Sequence, residues 1–166
     1  MTTVLRVVRL YALAIWVGGL VFFGFVAAMA FKTLPDAHEA GIVVRGALIS
    51  LHHIGMASGL IYLLCTLALL ATQRDTHPIR AAELVLVMMM LALTGYSEFS
   101  VIPRMEADRT SLGGDVAKAP EEVPARKHFE RLHRVSVKVE SVVLIEGLML
   151  LAMAGIHGRD DFDRFA

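Results

Sequence analysis

Charge is scarce in this chain. Only 19% of its 166 residues are Asp, Glu, Lys or Arg, against about a quarter in a soluble globular domain. There is one cysteine, Cys65, inside an apolar run, so an internal disulfide is excluded and the thiol reads as a small packing residue. Neither sign of charge dominates. Sixteen basic residues stand against sixteen acidic ones, so no global field draws the chain to nucleic acid, which is excluded as a partner. Catalytic signatures are also missing: there is no Ser/His/Asp order, no phosphate-binding glycine loop and no paired zinc motif with its base. Nor is there a Cys-x-x-Cys, a Met-x-x-Met or a haem-attaching Cys-x-x-Cys-His. The expectation is therefore a protein that is not an enzyme. No repeat period and no low-complexity linker divides the chain, which argues for one domain.

What the chain has instead is apolar residues, 56% of the total, giving a mean hydropathy of +0.62. They come in long blocks, the pattern of membrane helices. The blocks predict four spans at about 10–31, 48–72, 82–102 and 135–156, with a helical extension at 125–134 outside the hydrocarbon. The first is too long for a signal peptide, despite Ala28-Met29-Ala30 near its end, and is expected to be retained. Between the spans, 32–45 reads as a polar loop with Pro35 and Gly41 as breakers, and 73–80 as a turn containing His77-Pro78. Pro103 is expected to stop the third helix, and 104–124 to be irregular around Gly113-Gly114, Pro120 and Pro124. The tail 157–166 reads as short, polar and frayed. The fold class is thus an all-α integral membrane four-helix bundle with both termini on one side. Arg6 and Arg9 before the first span, against Lys32 after it, place those termini in the cytoplasm.

Two packing signals stand out. Trp16, Gly19 and Phe23 share a face of the first helix, and Gly55-x3-Gly59 on the second is the small-residue pattern that lets membrane helices touch.

The polar residues are the unusual part. The stretch 126–146 carries two histidines, three arginines, two lysines and three glutamates as it enters the fourth span. A charge at the centre of a membrane helix costs about 2.5–3.5 kcal/mol by insertion scales, so partners are required. Alternating helix direction puts Lys32, His52, His53, Glu98, Lys138 and Glu140 in the same leaflet, with His128, His133, Arg104 and Arg109 just above. The opposite leaflet shows no comparable cluster. Rotation by 100° per residue puts His133, Ser136, Glu140 and Gly147 on one stripe and Lys138 with Arg131 and Arg134 on another. Glu146 lies about 16 Å down the helix from Val135, near the midplane, with no partner that can be named.

Several functions are compatible with this rim. His52 and Met56, four residues apart, offer imidazole and thioether to copper or another soft metal, with Met29 and His133 completing a site. Axial histidines, His52 or His53 with His133, offer a place for haem b, with Gly55 and Gly59 leaving room for its face. Glu98, Lys138, Glu140 and Glu146 offer an ion path. Arg104, Arg109, Arg131 and Arg134 suit the phosphates of the surrounding lipid bilayer. The preferred expectation is a metal ion or small ligand bound at His52, His53, Met56, His133, Glu98 and Glu140, with Lys138 neutralising one carboxylate. The alternative is a structural subunit, a homo-oligomer or part of a larger membrane complex, in which these residues only pair with each other.

Three segments carry a resemblance. They are YALAIWVGGLVFFGFVAAMAF at 11–31 with its Trp-Val-Gly-Gly, VIPRMEADR at 101–109, and FERLHRVSVKVE at 129–140 with its Leu-His-Arg-x-Ser. Together they resemble a bacterial four-helix membrane family of unknown function, similar to the animal transmembrane protein 205 implicated in cisplatin resistance. More distantly the chain resembles the copper-resistance-D-like superfamily, whose relatives include haem-dependent protoporphyrinogen oxidases. The resemblance implies a four-helix membrane fold in a bacterial inner membrane and brings no established activity.

Overall fold

The computed structural model describes residues 2–73 and 78–163, with side chains described over 2–72 and 81–155. The predicted turn at His77 therefore lies outside the described residues, as do the last three residues of the tail. Among the described residues every regular element is helical: α1 (Thr2–Thr33), α2 (Ala37–Gln73), α3 (Pro78–Tyr96), a π turn (Ser97–Val101), α4 (Ile102–Ser111) and α5 (Pro124–Asp163). Three stretches, Thr2–Thr33, Ala37–Thr72 and Ala81–Ser111, are long and apolar enough to cross a membrane. Their outward side chains fit that environment, since Tyr11, Phe22, Phe25, Leu64 and Phe99 are all exposed.

The helices are longer than hydropathy alone suggests, and the extra length is polar. The expected loop at 32–45 shrinks to the corner around Pro35, because Asp36 caps a helix there. Its Oδ1 accepts the His38 N–H at 3.0 Å and its carbonyl accepts the Ala40 N–H at 3.1 Å, satisfying donors that a helix start otherwise leaves open. Gly41, expected to break the chain, lies inside α2; a mid-helix glycine costs only about 1 kcal/mol, which the cap and the continuing helix outweigh.

Pro103 does not stop the third helix either. The chain widens first into the π turn, where the Ile102 N–H reaches back five residues to the Ser97 carbonyl. Pro103 then sits in the opening turn of α4, where its missing N–H is least costly. The first part of the segment expected to be irregular is thus helical to Ser111. It ends at Gly113 and Gly114, both with positive φ. There the Gly114 N–H bonds the Arg109 carbonyl and the Gly113 N–H bonds the Thr110 carbonyl, at 2.9 and 3.1 Å, a glycine C-cap that satisfies the last carbonyls. At the other end of the chain α5 continues to Asp163, past the expected end near Ile156, so the segment read as frayed is largely helical.

The core joins all four long segments. Trp16, Tyr62, Val87, Met90, Val143 and Leu150 are fully buried in one cluster, and Cys65 is buried as a packing residue. The glycine pattern on α2 has a specific occupant. A Cβ on Gly55 would stand 2.4 Å from Trp16 Nε1, and one on Gly59 would stand 2.4 Å from Trp16 Cζ3 and 2.6 Å from Leu91 Cδ2. The indole of α1 therefore lies flat against α2, in the space that only glycine leaves open. Gly19 serves the same contact from α1, with Leu51 at 3.0 Å. Phe23, on the same face, is half-buried against the core.

Candidate functional site

His52 is the centre of the polar rim. It is 1% exposed and stands between two carboxylates from different helices. Its Nδ1 is 2.9 Å from Glu98 Oε2 on the π turn, and its Nε2 is 2.7 Å from Glu140 Oε1 on α5. Ser97 donates its hydroxyl to the same Glu140 oxygen at 3.3 Å, and His53 Nε2 lies 3.2 Å from Glu98 Oε1. One imidazole thus ties α2, α3 and α5 together. The π turn makes this possible, because its extra residue rotates the helix so that both Ser97 and Glu98 meet the other helices.

The proton count of this clasp follows from its geometry. A neutral imidazole donates from one nitrogen only, and an ionised carboxylate donates nothing. Two short contacts at opposite nitrogens therefore need one proton beyond neutral histidine and two carboxylates. The three groups then share a net charge of about −1 in a dry setting, where ion pairs are strong and uncompensated charge is costly. Glu140 Oε2 is buried and has no hydrogen-bond partner among the described residues.

Of the residues singled out by pattern, the fold unites His52, His53, Glu98 and Glu140 and leaves others apart. His133 is exposed and faces a cavity. Met29 is exposed and Met56 half-buried. Both nitrogens of His52 are occupied, so the His52–Met56 pair has no free imidazole donor. Among the described residues no group of three or more His, Cys, Asp or Glu is arranged to hold a metal. The physical reason is that the His52 ring separates the two carboxylates instead of converging with them on a point. The space beside Gly55 and Gly59 considered for haem is filled by Trp16 and Leu91.

Two expectations are corrected. Lys138 does not neutralise Glu98 or Glu140; it is exposed, pointing outward with Arg131 and Arg134 on the other stripe of α5, and His52 takes its place as the partner. The opposite end of the bundle does have a polar cluster. Arg9 Nη1 of α1 lies 3.0 Å from Glu83 Oε2 of α3, with side-chain exposures of 10% and 1%, and the guanidinium sits 5.3 Å from the centre of the Tyr62 ring. Helix direction alone puts Arg9 and Glu83 at the same level, so the signal was present in the chain. Glu146 is buried next to Gly147, which packs against Val17 and Met90. Its Oε2 has no hydrogen-bond partner among the described residues.

The clasp borders a cavity. A chamber of about 430 Å³ opens between α1, α2, α4 and α5, with Leu20 and Leu144 at its deep end, Glu140 in its wall and Arg45, Arg109 and His133 at its mouth. That volume lies in the range of small-molecule sites, roughly 300–1,000 Å³. A second space of about 230 Å³, under the loop after α4, shares Phe31, Gly41, Arg109 and His133 with it. At the mouth Arg45 pairs with Glu106 at 3.2 Å, while Arg109 stacks 5.8 Å from the Phe129 ring centre. Arg104 is exposed on α4.

Comparison with known proteins adds a family. A domain of unknown function (DUF4149) matches residues 11–110. No curated protein and no solved structure matches the chain.

Proposed function

The chain belongs to the family of the domain of unknown function DUF4149, and we propose that within it this protein is a membrane-embedded binding protein for a small amphiphilic ligand. The observation that carries this reading is the position of the chamber. It is apolar through most of its depth and lies directly against the clasp, sharing Glu140 with it. The clasp holds α2, α3 and α5 at fixed separations, and so keeps the chamber walls apart. A bundle that had only to pack against itself would gain by closing such a space.

Gly24 provides the test. It lines the chamber, and a Cβ there meets nothing within 4 Å, so Gly24→Leu adds bulk at the chamber wall without a clash at its Cβ. Wild-type protein purified in a mild maltoside detergent is expected to retain a bound lipid-like molecule in native mass spectra. Gly24→Leu, with unchanged helicity, is expected to lose it. Equal lipid loads on the two proteins sink the reading.

The same proposal includes a fourth span at 135–156, a bacterial inner membrane and cytoplasmic termini. Arg6 and Arg9, in the opening turns of α1, support that orientation. A fluorescent protein fused to the C-terminus is expected to fluoresce and a periplasmic phosphatase fused there to stay inactive; the reverse pattern inverts the topology. A likeness to transmembrane protein 205 and to the copper-resistance-D-like superfamily is part of the proposal. A copper or haem role along those lines requires His52 to leave its carboxylates. The second reading, an assembly or lipid-binding subunit in a homo-oligomer or larger complex, is favoured by the closure of the clasp, whose imidazole has both nitrogens engaged. An unchanged lipid load in Gly24→Leu, with oligomer dissociation in His52→Ala, selects that alternative.

A further inference from the structure

We propose that the occupant of the chamber is a single-chain amphiphile with an anionic head, a carboxylate or phosphate. Its head lies at Arg109 and His133, and its chain runs down toward Leu20 and Leu144. This rests on the chamber reading above and adds the chemistry of the ligand.

The charges lining the two connected spaces lead to it. Nearly every acid there is already answered. Glu106 pairs with Arg45 at 3.2 Å, Asp115 with Lys118 at 2.9 Å and Glu130 with Arg126 at 3.1 Å. Glu140 is answered at one oxygen, by the His52 imidazole and the Ser97 hydroxyl, while its Oε2 is buried with no hydrogen-bond partner among the described residues. The cation at the junction is not answered: Arg109 makes no ion pair among the described residues, and its one recorded side-chain contact is the Phe129 ring. His133 stands beside it in the lining of both spaces. A guanidinium fixed on an aromatic face keeps its planar fork of donors, which fits a carboxylate or phosphate in two-point fashion.

Depth sets the orientation. His133 and Glu140 are seven residues apart on α5, about 10 Å along the helix. A negative head is attracted at the mouth and repelled by the clasp below, so it stays at the mouth while the chain takes the apolar depth. Burial of the chain supplies the bulk of the affinity. A cationic amphiphile would have to leave its head beside Arg109 or carry it about 10 Å along α5 to Glu140, whose unpartnered Oε2 is itself buried. The observations favour the anion.

The test uses the purified full chain and three probes: dodecyl phosphate, dodecyltrimethylammonium and inorganic phosphate, each titrated and read by native mass spectrometry. Dodecyl phosphate is expected to bind at one equivalent, at least tenfold tighter than the ammonium amphiphile, with inorganic phosphate showing no binding. Arg109→Gln is expected to weaken dodecyl phosphate roughly ten- to hundredfold, the loss of one charge-assisted contact. Arg109→Lys is expected to recover part of that loss, and Gly24→Leu to abolish binding of the chain. The assignment is overturned if the ammonium amphiphile binds as tightly, if a folded Arg109→Gln leaves affinity unchanged, or if inorganic phosphate binds as well as dodecyl phosphate. Amphiphile binding that Gly24→Leu blocks but that ignores head charge defeats this inference and leaves the chamber reading standing. A chamber that takes up no amphiphile defeats both.

Discussion

Replacing His52 with alanine is expected to destabilise the bundle by about 3–5 kcal/mol, the usual cost of removing one member of a buried ionic network. The imidazole is 1% exposed and answers two carboxylates at 2.9 and 2.7 Å. Without it, Glu98 and Glu140 face each other across a cavity, and at least one must take up a proton or be hydrated. His53 does not substitute, because it reaches only Glu98 and its side chain is 63% exposed. Glu140→Gln should be milder, at about 1–3 kcal/mol. The amide oxygen still accepts from His52, and one buried charge is removed along with the contact. Reversible unfolding in mixed detergent, followed by helicity, reads both. A His52→Ala protein that unfolds at the wild-type midpoint would show that the clasp holds nothing together.

The second large effect is expected at the other end of the bundle. Arg9→Met leaves Glu83, whose side chain is 1% exposed, without its 3.0 Å guanidinium partner, and removes the cation from the Tyr62 ring. A loss of about 3–5 kcal/mol is the usual cost of breaking a buried pair by removing one partner. The double variant Arg9→Met, Glu83→Leu should recover most of it, because apolar residues of similar volume replace a buried pair at little net cost. The same unfolding assay decides the matter. If the double variant is as unstable as the sum of the single ones, the two residues act independently and the pair is not the stabilising unit. The two clusters differ in kind. Arg9–Glu83 pairs a cation with a carboxylate, whereas the His52 clasp sets one imidazole between two carboxylates and borders a chamber.

The membrane character and the polar rim are both legible in the sequence. Apolar runs located the helices, and counting their alternating directions put His52, Glu98 and Glu140 in one layer. The same counting puts Arg9 and Glu83 at one depth at the other end of the bundle, so the second cluster is legible in the sequence as well. Lys138 was nevertheless the wrong partner. Rotation along α5 correctly put it on the stripe opposite Glu140, but a layer holds all residues at one depth and says nothing about which of them face each other. The phase of Glu98 was beyond reach, since a π turn breaks the 3.6-residue period from which faces are read. Pro103 misled in the same place: a proline forbids the α-helical hydrogen bond, but a widened turn ahead of it lets the chain continue.

By itself the sequence determined the environment and the depth of each group, because hydrophobic length and rise per residue are properties of one helix at a time. It also determined that glycines at 55 and 59 would admit a neighbour. Only the tertiary structure decided that the neighbour is Trp16, that His52 and not Lys138 answers the two glutamates, and that a chamber with an unanswered Arg109 opens beside them. Those outcomes depend on which helices adjoin and on the rotation of each about its axis. Both are set by side-chain packing between segments far apart in the chain, which no single-helix pattern encodes.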